Sequence, residues 1–194
     1  MKRAADIIGL SVLCIRTGEQ IGIIRDIACD PQTSVLGFML EPKSLFSHGK
    51  YIRLQDVKAI GEDAVTVYAE DIIHPMDDAE QQAGREMEQQ DEHAVARKDH
   101  EHHIRGLYNG EKLKGIRVVT TNGNELGLVE DVYFDEEVGT IVGYELSEGI
   151  VADITEGRKY LPKPVHITLG KDVIIVPRSS EFEIEDWSDH KEAH

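Results

Sequence analysis

Apolar residues fall in short arms interrupted by glycine and closed by Asp-containing turns. IGIIRDIACD at 21–30 is followed by DPQTS and then VLGFML at 35–40; GLVEDVYFD at 127–135 is followed by DEEVG and then TIVGYEL at 140–146. Runs of this length bounded by turn residues predict β-strands, here paired as two hairpins. In 21–30, Ile21, Ile23 and Ile27 share one parity, while Ile24 and Ala28 take the other. Apolar residues on both faces predict a strand covered on both sides. At the first turn Pro31 presets φ and Asp30 accepts from the backbone ahead; Asp135 does the same at the second.

The two hairpins belong to a longer internal repeat. Gly9, Gly18, Gly22, Asp26, Asp30 and Gly37 match Gly115, Gly123, Gly127, Asp131, Asp135 and Gly143, and Lys50-Tyr51-Ile52 matches Lys159-Tyr160-Leu161. Each copy closes on a similar strand, GEDAVTV at 61–67 and GKDVIIV at 170–176. Glycine inside a strand weakens it unless the sheet bends sharply there. Gly22, Gly37, Gly127 and Gly143 therefore predict small, strongly coiled antiparallel β-barrels in a mainly β protein. A glycine-rich phosphate loop would need a helix N-terminus after it, and none is evident. Asp26 and Asp131 interrupt apolar strands, one per copy, with no recurring His, Cys or Lys beside them. A structural carboxylate that accepts backbone N–H groups beside a bulge fits that pattern better than acid–base chemistry.

In order and spacing, G(18)EQIGIIRDIACD with VLGFML, and G(123)NELGLVEDVYFD with IVGYEL, resemble the PRC-barrel family. The later K-Y-[IL] segments also fit. The segment GIVADITEGRKYLP at 149–162 and the tandem order look most like stand-alone PRC-barrel proteins of spore-forming bacilli. The resemblance implies a small β-barrel used for assembly and protein contact, not catalysis. The organisation expected is a first barrel at 1–74, a His-rich and helical linker at 75–111, a second barrel at 112–178 and an acidic tail at 179–194.

Charge narrows the partners. With 37 acidic against 21 basic residues and a net charge of −16, the chain has no basic stripe for phosphates or anionic lipid. Direct nucleic-acid binding and membrane docking are disfavoured, and a basic protein partner is compatible. No apolar run approaches the roughly 20 residues of a membrane span, and no signal peptide is evident, so a cytoplasmic setting is expected. Cys14 and Cys29 both lie in the first copy, opposite Thr120 and Phe134 in the second. They are read as buried reduced thiols rather than a disulfide.

Candidate contact residues lie where the copies diverge. Leu45 and Phe46 in PKSLFSHGK either plug their own barrel or anchor a partner; Ile150 and Val151 sit in the replacement loop of the second copy. In the tail EFEIEDW, Phe182 and Ile184 face inward on an added edge strand, or Phe182 and Trp187 belong to an acidic peptide that grips a basic partner. If the linker is helical, His93, His100 and His103 share one stripe, a candidate Zn²⁺ or Ni²⁺ site or a pH-responsive cluster, set against a solvated linker. No nucleophile–base pair or closed metal motif is evident, so no enzyme activity and no cofactor are expected. The expected function is a non-catalytic protein-binding or assembly adaptor, compatible with self-association through sheet edges. Metal binding or metal/pH sensing by the linker is the alternative.

Overall fold

The computed structural model describes residues 1–42, 49–76, 108–148, 157–170 and 172–186. The chain opens with β1 (Lys2–Arg3) and a four-residue helix, α1 (Ala4–Ile7). Then come β2 (Ser11–Cys14), β3 (Gln20–Cys29), β4 (Val35–Leu40), β5 (Lys50–Arg53), β6 (Val57–Ile60), β7 (Ala64–Val67) and β8 (Ile73–Pro75). The same order recurs: β9 (Tyr108–Asn109), α2 (Gly110–Leu113), β10 (Arg117–Thr120), β11 (Glu125–Asp135), β12 (Thr140–Ser147), β13 (Lys159–Pro162), β14 (Thr168–Leu169), β15 (Val173–Val176) and β16 (Glu185–Asp186). The protein is mainly β. Of the segment at 75–111, expected to be a helical linker, residues 77–107 lie outside the described residues, while its ends hold Pro75 of β8, the strand β9 and the start of α2.

Two sheets form, with orders β6-β7-β2-β3-β4-β5-β8 and β14-β15-β10-β11-β12-β13-β16, identical once the repeat is taken into account. The sheets are not wholly antiparallel as expected: β2 pairs with β7, and β10 with β15, in parallel. β5 and β6 do not pair but are joined by a 3-10 turn at Leu54–Asp56, and this non-hairpin connection brings β7 back beside β2 in the same direction, which strand-by-strand reading does not reveal. Bulges do the coiling. Register slips at Ile24/Asp26 and Ala28/Cys29 in one repeat and at Val129/Asp131 and Tyr133/Phe134 in the other. The first slip explains the mixed parity of 21–30: Arg25 is the extra residue, exposed, and it moves the inward face from Ile24 to Asp26 and onward.

The cores match position for position. Val12, Ile24, Ile27, Phe38, Ile52 and Val65 are fully buried in one repeat, and Val118, Val129, Val132, Tyr144, Leu161 and Ile174 replace them in the other. Each such side chain contributes about 1.5–3 kcal/mol of hydrophobic stabilisation. The glycines permit close approach. A Cβ on Gly37 would lie 1.9 Å from the Ile52 carbonyl oxygen, and one on Gly143 would lie 2.2 Å from the Tyr160 hydroxyl.

The compact units do not follow the repeat boundaries. One comprises residues 6–109, the other residues 1–5 together with 110–194. The leading strand of the first repeat, β1, pairs with β11: Lys2 opposite Phe134 and Arg3 opposite Tyr133. The leading strand of the second repeat, β9, pairs with β3 in the equivalent place: Tyr108 opposite Cys29 and Asn109 opposite Ala28. A first domain drawn as 1–74 therefore includes five residues that complete the other unit. Two-residue strands leave no periodicity, which is why sequence pattern misses them.

Candidate functional site

Of the residues singled out from the sequence, Leu45, Phe46, Ile150, Val151 and Trp187, and the histidines His93, His100 and His103, lie outside the described residues. Phe182 does not face inward on an edge strand. It ends a 3-10 turn at Arg178–Phe182 and is 80% exposed; only Glu185–Asp186 adds to the sheet, beside β13. Ser180, buried, fixes that turn through its backbone N–H to the Pro177 carbonyl, and this leaves Phe182 pointing away.

The four aspartates act on the backbone. Asp26 accepts from the Ile27 N–H at 2.8 Å, and Asp131 accepts from the Val132 N–H at 2.8 Å, each beside its bulge. Asp30 accepts from the Ser34 N–H at 2.8 Å. Asp135 accepts from Glu137 and Val138 at 2.8 and 3.0 Å, and those N–H groups hold its carboxyl below the usual range.

Around Asp131 the second repeat builds a polar cluster that sequence reading passed over. The Tyr133 hydroxyl donates to Glu145 Oε2 at 2.8 Å, and Glu145 is 1% exposed. Arg158 pairs with the other Glu145 oxygen and reaches Glu130 at 3.7 Å, which Lys114 also meets at 2.8 Å. From β1, Arg3 approaches Asp131 at 3.6 Å and Glu145 at 3.8 Å, and the Ala5 N–H donates to Asp131 at 3.2 Å. Burial raises the Asp131 carboxyl despite the N–H groups of Val132 and Ala5 and the charge of Arg3. Burial also raises the Tyr133 hydroxyl, with the bond to Glu145 acting in the same direction. The cluster sets three carboxylates, Asp131, Glu145 and Glu130, against three cations, Arg3, Arg158 and Lys114.

The first repeat places different chemistry at the same register. Ala28 stands where Tyr133 does, Met39 where Glu145 does, and Asn109 where Arg3 does; Tyr51 and Tyr160 correspond. Ala28, Leu36 and Tyr51 form an apolar cluster with Met39 and Met76, and the Asn109 amide lies 3.8 Å from the Met39 sulfur. Cys29 is buried in this unit, and burial raises its thiol, with Asp30 and Asp26 adding to the effect. The signal for this asymmetry lies in the sequence: a glutamate inside TIVGYEL aligns with a methionine in VLGFML.

Each unit leaves apolar side chains exposed near its parallel pair. Past β2 and β7 stand Ile15 and Tyr68, 51% and 64% exposed. In the other unit Thr121 and Pro177 take those two positions, and the exposed apolar residues are instead Ile175 within β15 and Phe182 at the end of the following 3-10 turn, 40% and 80% exposed. On the second unit this face holds a groove of about 400 Å³ lined by Arg117, Thr121, Glu125 and Ile175 among others. Arg117 and Glu125 pair there at 3.6 Å. Among the described residues no group of three or more His, Cys, Asp or Glu is placed to hold a metal ion, and no helix is long and apolar enough to cross a membrane.

Residues 105–183 match the family model of the PRC-barrel domain. The chain is also similar to the uncharacterized protein YrrD of Bacillus subtilis (strain 168), with 25% identity over 180 residues that cover 91% of this chain and 87% of that protein.

Proposed function

We propose that the chain is a tandem PRC-barrel protein that serves as a non-catalytic adaptor, each repeat meeting a protein partner through apolar residues exposed near its parallel strand pair. The observation that carries this reading is that each unit leaves apolar side chains exposed near its parallel pair, though at different positions: Ile15 and Tyr68 just past β2 and β7, and Ile175 on β15 with Phe182 after it. Apolar and aromatic side chains exposed to solvent are the usual anchors of a protein interface. The net charge of −16 suits partners with a basic rim. A cytoplasmic setting fits two cysteines that are not joined in a disulfide.

The test is capture by the intact chain at low and high salt, repeated with Ile15→Ser/Tyr68→Ser and with Ile175→Ser/Phe182→Ser. All four positions are solvent-facing, so both double variants keep the wild-type melting temperature. The expected result is a salt-sensitive protein partner that at least one double variant fails to retain. Equal capture by all forms, or capture that depends only on added Zn²⁺ or Ni²⁺, sinks the adaptor reading.

A further inference from the structure

The exchange of leading strands is not forced by chain length. In either repeat the leading strand could dock beside its own long strand. Position 3 would then face Ala28, and β2 already begins opposite Ile23. Both strands run antiparallel to β3 along the same edge, so the chain would continue in one direction. The path from position 3 to Ser11 extends up to roughly 26 Å, while the five residues from Ala28 to Ile23 cover about 17 Å. Backbone pairing is equally blind, because both docking edges offer the same bulged arrangement of N–H and C=O groups.

What differs is the chemistry at the edge. Beside β11 the docked residue meets Asp131, Tyr133 and the buried Glu145, and Arg3 supplies a cation to both carboxylates. Beside β3 the matching positions are Asp26, Ala28 and Met39, and Asn109 supplies an uncharged amide. Exchanging the two residues would set a guanidinium against a thioether cluster and withdraw a cation from a buried carboxylate, and both changes are unfavourable. Asp26 is the counterpart of Asp131 and makes the same bond to the N–H that follows it, so the difference between the two edges rests on Glu145 and Tyr133, which Met39 and Ala28 replace.

We infer that Arg3 and Asn109 are the specificity determinants of strand docking, directing each leading strand into the opposite unit. The strand-docking edge of β11 is thus a site for an extended segment bearing a cation, and that of β3 a site for one bearing a neutral polar residue. Strand addition of this kind takes affinity from the backbone and selectivity from alternate side chains.

The experiment exchanges the two residues in the intact chain, Arg3→Asn/Asn109→Arg, and maps cross-strand Hα contacts by NMR. The expected result is relocation: position 3 meets Ala28, and position 109 meets Tyr133. Contacts of position 3 that stay at Tyr133 overturn the inference. Because the double variant can fail to fold, Arg3→Asn and Arg3→Lys are measured beside it by amide hydrogen exchange. Arg3→Asn is expected to speed exchange about tenfold at the β1–β11 amides and leave the β10–β11 amides unchanged, while Arg3→Lys retains most of the protection. Equal protection in all three forms would overturn the inference as well.

Discussion

Gly37→Ala tests how tightly the coiled sheet closes on itself. The new Cβ would lie 1.9 Å from the Ile52 carbonyl oxygen and 2.9 Å from the Arg53 Cα, where real Cβ atoms essentially never come within 3.0 Å. Both obstacles are backbone of β5, so no side chain can turn aside. The strands must part by more than 1 Å at the Gly37–Arg53 pair. The φ of +157° at Gly37 adds conformational strain for an L-residue. Over-packing and backbone strain each cost about 1–3 kcal/mol, so the loss is about 2–6 kcal/mol. Gly143→Ala at the equivalent position meets Tyr160 Oη at 2.2 Å, a side-chain end. That ring can swing at the expense of its edge contact with Tyr133, 5.6 Å between centroids, and its 3.3 Å bond to the Val142 carbonyl. Its cost is smaller, about 1–3 kcal/mol. Urea unfolding followed by circular dichroism measures both. A Gly37→Ala protein within 1 kcal/mol of wild type, or more stable than Gly143→Ala, would refute the close-approach argument.

Tyr133→Phe removes a 2.8 Å donor from the buried Glu145 carboxylate and should cost about 1.5–3 kcal/mol by urea unfolding. An unchanged midpoint would mean the hydroxyl is dispensable to Glu145. Asp131 and Asp135 should give opposite pH slopes. The folded Asp131 carboxyl is raised, so its contribution to stability is fully present below the unfolded value and is lost as pH rises through the folded one. Asp135 is lowered, so its contribution is present above the unfolded value and is lost as pH falls through the folded one. Lowering the pH from 7 toward about 4, the ordinary carboxylate range, should therefore shift stability toward wild type relative to Asp131→Asn. It should shift stability away from wild type relative to Asp135→Asn. Parallel slopes in paired melting curves would contradict the assignment.

Much of the fold is legible in the sequence because the repeat prints it twice. The hairpins β3–β4 and β11–β12 show as apolar arms closed by Asp turns, and Gly22, Gly37, Gly127 and Gly143 mark the coiled positions. The aspartates stand out because a carboxylate interrupts an apolar run, and the structure gives Asp26 and Asp131 a backbone N–H to hold. The exchange was not legible. Lys2–Arg3 and Tyr108–Asn109 are too short to carry a period, and a backbone edge exerts no pull that composition records. Glu145 was passed over because one glutamate in a strand reads as a solvent-facing residue until its burial is known. The tail misled for a related reason: EFEIED alternates as a strand does, but a 3-10 turn at 178–182 consumes its first residues and leaves Phe182 in solvent.

The central claim is that two equivalent sheets lend each other their leading strands. Its most direct test is a pair of cross-strand Hα contacts in the uniformly labelled wild-type chain, read from a nuclear Overhauser spectrum. The account predicts Arg3 against Tyr133 and Asn109 against Ala28. Contacts of Arg3 with Ala28 and of Asn109 with Tyr133 would show each repeat keeping its own strand and would contradict it.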